Sequence, residues 1–393
     1  MKSLLRGTRK DIAVVTLATM ALTFLIWLPF ILKIHSFFNL DFSAGFNTIY
    51  RNFDGLEYIV IAKSFYFPSE IAKLPISMPA GYFASHFPGY SLFILLFAPL
   101  LGFLKSMLFV SGLFTTFSVI AFYFLLKDFD LTSQPLWLSL VFLVLPARWV
   151  IIHSVGAAEP TFIFFVITTI YFFMRFEEEG CFRDIILSGV AAAFAQLTRP
   201  PGILLFAALG LYLIWNIIRH NHGNFGKRII RAIGRYYPML LTPITLLAIF
   251  YWYSVAYHNF FAYFHSGDNI HLGFLPFQVF NKAQPCVGDI WLEDIIYIFM
   301  MGLLGGLLLL KHKLYPMAFF VLTYFTAIIF VAHRDISRYI LPIFPFVLIA
   351  FEKVLVSKEF KITLAILLLA IYLYAQNFII ANIAPIPNLQ VFN

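Results

Sequence analysis

The stretch IAVVTLATMALTFLIWLPFILKI, residues 12–34, carries one charged side chain, Lys33. A helix of roughly 20 apolar residues is long enough to cross the hydrocarbon core of a bilayer. The run is too long for the core of a signal peptide, and no small-residue cleavage site follows it. It therefore predicts a retained signal-anchor helix, and hence a membrane protein.

The composition of the whole chain supports the same class. Of its 393 residues, 61% are hydrophobic and 12% are charged, and the mean hydropathy is +0.88. Soluble domains carry about 25% charged residues, so the water-soluble class is excluded. Most of the net charge of +8 can be attributed to basic cytoplasmic loops, so the charge requires no nucleic-acid partner and none is predicted.

Further apolar runs follow along the chain. They predict an all-α, polytopic membrane protein of about 11 transmembrane helices that forms a single integral-membrane domain over residues 1–393. The predicted spans are 12–34, 106–126, 134–152, 158–175, 184–198, 201–218, 237–255, 291–310, 314–332, 338–352 and 362–383. Two long loops, 35–86 and 256–290, are predicted outside the cytoplasm, the first with juxtamembrane helices.

One more apolar segment, FPGYSLFILLFAPLLGFL at 87–104, decides the topology. If it crossed the membrane, the most basic loop, 219–235, would face outward, against the positive-inside rule. Its two prolines and two glycines suit an interrupted element buried in protein. We therefore predict a half-embedded segment. The resulting topology places Cys181 and Cys286 on opposite sides, which predicts neither a disulfide nor a cysteine metal site.

The same topology gathers ionisable groups at the outer face. Polar groups near a membrane are costly, so their clustering predicts one outward-facing site. The residues concerned are Asp54, Glu57, His86, Glu159, Arg199, His265, Asp268, His333, Arg334, Asp335 and Arg338.

The segment NFDGLEYIVIAKSFY, residues 52–66, predicts a short helix with Asp54 before it and Glu57 three residues later. The pair fits a capping box, in which Asp54 caps the helix and Glu57 reaches back. Alternatively, Asp54 is a base that accepts a proton from a hydroxyl group. The apolar face expected on the bilayer surface comprises Ile59, Ile61, Ala62 and Phe65.

Three single charged residues allow a structural and a functional interpretation each. His86, in SHFPGY, is either a structural hydrogen-bonding residue or a ligand of the site. Glu159, before Pro160, either suits the positive end of a helix dipole or belongs to the outward-facing site. Arg199, in LTRPPG at 197–202, either snorkels to lipid headgroups or binds a phosphate with its planar fork.

The densest cluster is HRDISRYILPIFP, residues 333–345. Arg334 and Arg338 are four residues apart, which predicts that they share one helical face. Phosphate binding by this pair is favoured over a structural alternative, in which Asp335 pairs with one arginine while the other anchors the helix.

The segment YFHSGDNIH, residues 263–271, offers His265, Asp268 and His271, and either forms an ordinary turn or holds a metal. A divalent cation held by Asp54 with Asp268 or His265 is possible, although no pattern requires one. No P-loop, Gly-rich dinucleotide motif or nucleophile elbow is present in the sequence, so no nucleotide site is predicted.

Four short motifs together carry a resemblance. NFDGLEYIVIAKSFY followed by HFPGYSLFI resembles the outer loop of the GT-C superfamily of integral-membrane glycosyltransferases. The likeness is closest to the GPI mannosyltransferase II (PIG-V-like) family and its prokaryotic relatives, with Phe53 in place of a Trp and Gly89 in place of a Leu. LTRPPGILL looks like the Thr-Arg corner of that family, and SRYILPIFP like its Arg-Tyr span entrance.

The resemblance implies transfer of a sugar, mannose in the closest family, from a polyprenyl-phosphate donor on the non-cytoplasmic face, with inversion. The acceptor would be a glycolipid, glycan or protein. Asp54 would be the catalytic base, and Glu57 the second catalytic carboxylate. The residues expected at the donor phosphate are Arg199, Arg334, Arg338 and His86, and those expected at the rest of the substrate are Glu159, His265, Asp268 and His333. The membrane would be the cell membrane of a prokaryote or the ER membrane of a eukaryote.

Two other classes compete with a transferase. A transporter or flippase of a lipid-linked saccharide would also bind phosphate, but it predicts mid-span charges and internal repeats, which the sequence does not display. A scaffold role leaves the outward clustering of charges unexplained.

Overall fold

The computed structural model describes residues 2–219, 225–267, 272–284, 287, 292–384 and 389–392. Within these ranges the chain is helical and forms no strand. The α-helices are α1 (Lys2–Leu32), α2 (Asn47–Tyr50), α3 (Gly55–Ser64), α4 (Pro68–Ile71), α5 (Gly89–Leu101), α6 (Phe103–Asp128), α7 (Pro135–Val144), α8 (Ala147–His153), α9 (Glu159–Glu179), α10 (Phe182–Thr198), α11 (Gly202–Arg219), α12 (Phe225–Tyr236), α13 (Leu241–Ala256), α14 (Asp294–Lys311), α15 (Tyr315–Ile328), α16 (Ile336–Tyr339), α17 (Phe344–Ala350), α18 (Glu352–Leu355) and α19 (Lys358–Ala381).

Short 3₁₀-helices connect or extend several of these elements. They are Ala80–Ser85, Tyr237–Leu240, Ala262–His265, Gln278–Phe280, Leu341–Ile343 and Gln390–Phe392. The prediction of an all-α, multi-pass membrane protein is confirmed. Asp268, His271 and Cys286 lie outside the described residues, so the predictions about them stay predictions.

Seven helical stretches in the described residues are long and apolar enough to cross a bilayer. They are Gly7–Leu32, Phe103–Asp128, Glu159–Glu179, Gly202–Arg219, Gly226–Ala256, Asp294–Lys311 and Lys358–Ala381. Helices α7 and α8 are together long and apolar enough for a span, but the chain bends by 76° between them. Counted as one broken span, they would bring the number to eight. The remaining predicted spans fall on shorter helices, and the total of 11 stays a prediction.

Helix α5 occupies most of the segment predicted to be half-embedded. Its 13 residues give a length of about 20 Å, whereas a hydrocarbon core is about 30 Å thick. Gly102, with a φ of +77°, turns the chain back so that α5 packs against α6. The short length suits an element that enters the membrane without crossing it.

Helix α3 differs from the expectation that one face lies on the bilayer. Ile59, Ile61 and Ala62 are 0%, 2% and 3% exposed, whereas Phe65 is 42% exposed. The helix packs against α5 and α6. The surface-helix prediction is therefore wrong for α3: the helix is enclosed by protein, and this burial fixes the position of Asp54 at its start.

A close backbone approach holds the start of α3 against the segment before α9. A Cβ added to Gly55 would lie 2.8 Å from the carbonyl oxygen of Gly156 and 2.7 Å from Sδ of Met107. Only glycine allows this contact without displacing the backbone of Gly156. The contact brings Asp54 close to Glu159, the first residue of α9.

Replacing Gly55 by alanine is expected to reduce stability by about 1–3 kcal/mol, the usual cost of overpacking. The matched control is Gly81→Ala, because a Cβ added to Gly81 meets nothing within 4 Å. Thermal unfolding of the purified protein measures both variants. Equal midpoints for the two would contradict a close contact at Gly55.

Candidate functional site

A cavity of about 1030 Å³ lies where the ends of several helices meet. Its polar and aromatic lining consists of Phe53, Asp54, Tyr58, Tyr82, Ser85, His86, Phe87, Arg148, Arg199, Phe250, Tyr263, Phe264, Tyr324, His333, Arg334, Asp335, Ser337, Arg338, Tyr339, Phe378 and Asn382. Leu204 of α11, Leu246 of α13 and Ile328 of α15 contribute to an apolar wall. Of the segment 87–104, only Phe87 lines the cavity, so the apolar wall is not formed by α5.

Arg338 is bound to two carboxylates at once. Its Nε donates to Oε1 of Glu159 at 2.5 Å, and its Nη2 donates to Oδ2 of Asp54 at 2.6 Å. The guanidinium lies 4.6 Å from the ring centre of Phe53 and is almost fully buried. Charge-assisted contacts of this length are the strong ones in proteins. Arg338 therefore links the start of α3 to the start of α9.

Glu159 lies behind Arg338 and is 0% exposed. Its Oε1 also forms an ion pair with Nη1 of Arg199 at 2.8 Å, while its Oε2 has no hydrogen-bond partner among the described residues. Arg199 is placed by the extended backbone between α10 and α11, where Pro200 follows. One buried carboxylate thus holds two arginines that both line the cavity.

Asp54 occupies the N-cap position of α3, but its side chain makes no capping hydrogen bond. Its carboxylate instead accepts from Arg338 and opens to the cavity, with 29% of the side chain exposed. Burial would raise the pKa of Asp54, but the charges of Arg338 and His86 outweigh it and lower the pKa to about 2. The capping interpretation is therefore wrong for Asp54, and its carboxylate is anionic at physiological pH.

Glu57 faces the same cluster one helical turn later. Its Oε1 accepts from the hydroxyl of Tyr82 at 3.2 Å, and its Oε2 lies 3.0 Å from Nε2 of His86. The same His86 nitrogen is 4.0 Å from Oδ2 of Asp54, and His86 Nδ1 lies 2.9 Å from Oγ of Ser85. His86 is thus positioned between two carboxylates.

Burial lowers the pKa of His86, but Glu57 and Asp54 outweigh this effect and raise it above the ordinary 6.5. A raised folded-state pKa stabilises the fold fully below pH 6.5, and the contribution is lost as the pH rises through the folded-state value. We expect the unfolding temperature to fall as the pH rises above 6.5, and His86→Asn to flatten this dependence. An identical pH dependence in the variant would contradict the pairing.

The groups that could hold a divalent cation differ in part from the predicted set. Ligand atoms of Asp54, Glu57 and His86 lie within 4.8 Å of one another, a donor set that suits a divalent cation. The guanidinium of Arg338 already supplies a positive charge to Asp54. His265 instead pairs through Nδ1 with the side-chain amide of Asn259 at 3.0 Å.

Arg148 lines the cavity, although no sequence motif above singled it out. It forms an ion pair with Asp335, and its guanidinium lies 3.9 Å from the ring centre of Phe378. Phe378 stacks on Phe53 at 5.5 Å. A signal was present in LPARW, where Pro146 interrupts an apolar run and a charge follows two residues later.

The 333–345 cluster differs from the predicted arrangement. Helix α16 begins only at Ile336, so Arg334 precedes it and does not share a helical face with Arg338. Arg334 is exposed at the cavity, whereas Arg338 is buried. His333 accepts the backbone N–H of Asp335 through Nδ1 at 3.0 Å. The structural alternative was wrong about the partner, because Asp335 pairs with Arg148.

The structure therefore brings most of the predicted site residues together. Asp54, Glu57, His86, Glu159, Arg199 and Arg338 form one connected network. His333 and Arg334 line the same cavity, while His265 is not part of its described lining.

The family model described as dolichyl-phosphate-mannose-protein mannosyltransferase matches residues 85–234. This stretch is less than half of the chain; it includes His86, Arg148, Glu159 and Arg199, while Asp54 and Arg338 lie outside it. No curated protein matches the chain. The similarity supports a membrane glycosyltransferase of the GT-C type that uses a polyprenyl-phosphate sugar donor.

Proposed function

We propose that the protein transfers a sugar, mannose first among the candidates, from a polyprenyl-phosphate donor to an acceptor hydroxyl on the non-cytoplasmic membrane face. The acceptor belongs to a glycolipid, glycan or protein, and the family with the nearest chemistry is that of the GPI mannosyltransferase II (PIG-V-like) enzymes. The membrane is the cell membrane or, in a eukaryote, the ER membrane. One observation carries the proposal: an anionic carboxylate and two arginines, Arg199 and Arg338, line one cavity.

Direct displacement at the anomeric carbon requires a base and a stabilised leaving group. Asp54 accepts the proton of the acceptor hydroxyl as the new bond to the sugar forms. The bond from the anomeric carbon to the phosphate oxygen breaks, and Arg338 and Arg199 stabilise the charge that develops on the phosphate. With no covalent enzyme intermediate, the reaction inverts the anomeric configuration.

The remaining predicted residues support these two roles. Glu57 lies near the position where positive charge develops on the sugar ring, and His86 holds Glu57 and Asp54 in place. Arg334 and His333 line the cavity surface, where they would contact the donor. The apolar wall that includes Leu204, Leu246 and Ile328 accommodates the first isoprenoid units.

The test uses the purified full chain in nanodiscs with radiolabelled polyprenyl-phosphate mannose and a lipid extract of the native membrane as acceptor. GDP-mannose is the control for nucleotide donors. We expect label to move from the lipid-linked donor and not from the nucleotide. Failure of a panel of polyprenyl-phosphate sugars to donate, together with movement of the intact donor across vesicles, would establish the transporter alternative.

A further inference from the structure

The two bonds of Arg338 differ in their access to a ligand. The Nε bond goes to Glu159, which is 0% exposed, so no ligand in the cavity reaches it without moving the protein. The Nη2 bond goes to Asp54, which faces the cavity. An incoming anion can therefore compete for one half of the guanidinium while the other half stays fixed.

The bond from Arg338 to Asp54 conflicts with the proposed role of Asp54. A carboxylate oxygen that accepts a hydrogen bond from arginine at 2.6 Å is a poor proton acceptor, because the positive charge favours the ionised form. General-base catalysis requires a group whose proton affinity suits the reaction. In the structure, the proposed base is thus engaged by Arg338.

A phosphate resolves this conflict. It carries the negative charge and the oxygen geometry that a guanidinium binds best, and it would enter at the cavity side of Arg338. We propose that Arg338 exchanges its bond to Asp54 for a bond to the donor phosphate, so that donor binding itself frees the base. Glu159 is the positioning residue that holds Arg338 during this exchange. This inference rests on the proposed function.

The four charges of the network balance at rest, donor binding adds the negative charge of the phosphate, and the chemical step then leaves the total unchanged. At rest, Asp54 and Glu159 are matched by Arg338 and Arg199. When the donor binds, its phosphate replaces Asp54 as the partner of Arg338. During transfer, Asp54 gains the acceptor proton as the leaving phosphate gains negative charge. The total charge of the site therefore stays constant during the chemical step.

The exchange predicts that replacing the catalytic residue Asp54 strengthens the binding of a phosphate ligand. If Asp54 competes with the phosphate for Arg338, Asp54→Asn should bind farnesyl phosphate about tenfold more tightly than the wild type, because Arg338 then gives up only a neutral amide oxygen and not a carboxylate. The measurement is equilibrium binding to the purified full chain in nanodiscs. Farnesol is the matched probe that lacks the phosphate.

A double-mutant cycle separates exchange from simple charge repulsion. In an Arg338→Gln background, Asp54→Asn should change the Kd for farnesyl phosphate by less than about twofold. If Arg338→Gln does not fold, Arg338→Lys replaces it, because a lysine cannot hold both carboxylates as a guanidinium does.

Three results would overturn the inference. An unchanged Kd in Asp54→Asn would mean that Asp54 does not compete for Arg338. If Asp54→Asn lowers the Kd for farnesyl phosphate equally with and without Arg338, the substitution only relieves repulsion between the carboxylate and the phosphate. If the wild type and Asp54→Asn both bind farnesyl phosphate no better than farnesol, the proposed phosphate site itself is wrong, which is distinguishable from failure of the exchange alone.

Discussion

Replacing Asp54 by asparagine is expected to lower the rate of sugar transfer by about 10²–10⁴-fold, the usual contribution of a positioned general base. Asparagine keeps the shape of the side chain and an oxygen that can accept from Arg338, but it cannot take the acceptor proton. The measurement is the initial rate of label transfer from polyprenyl-phosphate mannose under donor saturation.

The control for this variant is a measurement that it still folds. Asp54 makes no capping hydrogen bond, so its replacement should not unravel α3. The thermal unfolding midpoint and the binding of farnesyl phosphate report on the fold and on the phosphate site separately. A transfer rate within twofold of the wild type would contradict the role of Asp54 as base.

Replacing Glu159 by glutamine is expected to reduce the free energy of unfolding by about 3–5 kcal/mol. Removal of one member of a buried ion pair leaves its partner charged and uncompensated. Here two buried cations, Arg338 and Arg199, lose their shared carboxylate. The measurement is unfolding by denaturant or heat in detergent of fixed composition.

The matched control is Glu70→Gln. Glu70 forms an ion pair with Lys73 at 2.7 Å, but both side chains are exposed. A surface pair of this kind contributes little, and the substitution should stay within about 0.5 kcal/mol. Equal effects of the two substitutions would mean that Glu159 is not the counter-charge of the two arginines.

Hydropathy and charge patterns predicted a large part of the molecule. Long apolar runs identify spans because the bilayer admits few alternatives, and the fold class followed from them. The clustering of Asp54, Glu159, Arg199 and Arg338 also followed, because charges collect where spans end. The collection of charged residues near the ends of helices can therefore be predicted from a single sequence.

The side-chain partners that belong to different helices cannot be predicted in the same way. Sequence spacing suggested that Asp54 and Glu57 form a capping box at the start of α3. In the structure α3 packs against α5 and α6, and the two carboxylates instead contact Arg338 and His86. The pairing of Asp335 with Arg148 joins residues nearly 190 positions apart. Such partners depend on how helices pack, and no local pattern encodes this.

The role of Glu159 also depends on helix packing and could not be predicted from the sequence. As a single acid before Pro160, it fits a helix start, and its place in the sequence gives no sign that two arginines meet at one of its oxygens. The bend between α7 and α8 likewise brings Arg148 out of an apparent span and into the cavity. A proline followed by a charge was the only local trace of this arrangement.

The most direct test of direct displacement is the anomeric configuration of the product made by the purified wild-type protein. The product formed from polyprenyl-phosphate mannose and the native lipid extract can be assigned by anomer-specific mannosidases. One base, no covalent intermediate and a phosphate leaving group predict a configuration inverted relative to the donor. A product with the configuration of the donor would contradict the account.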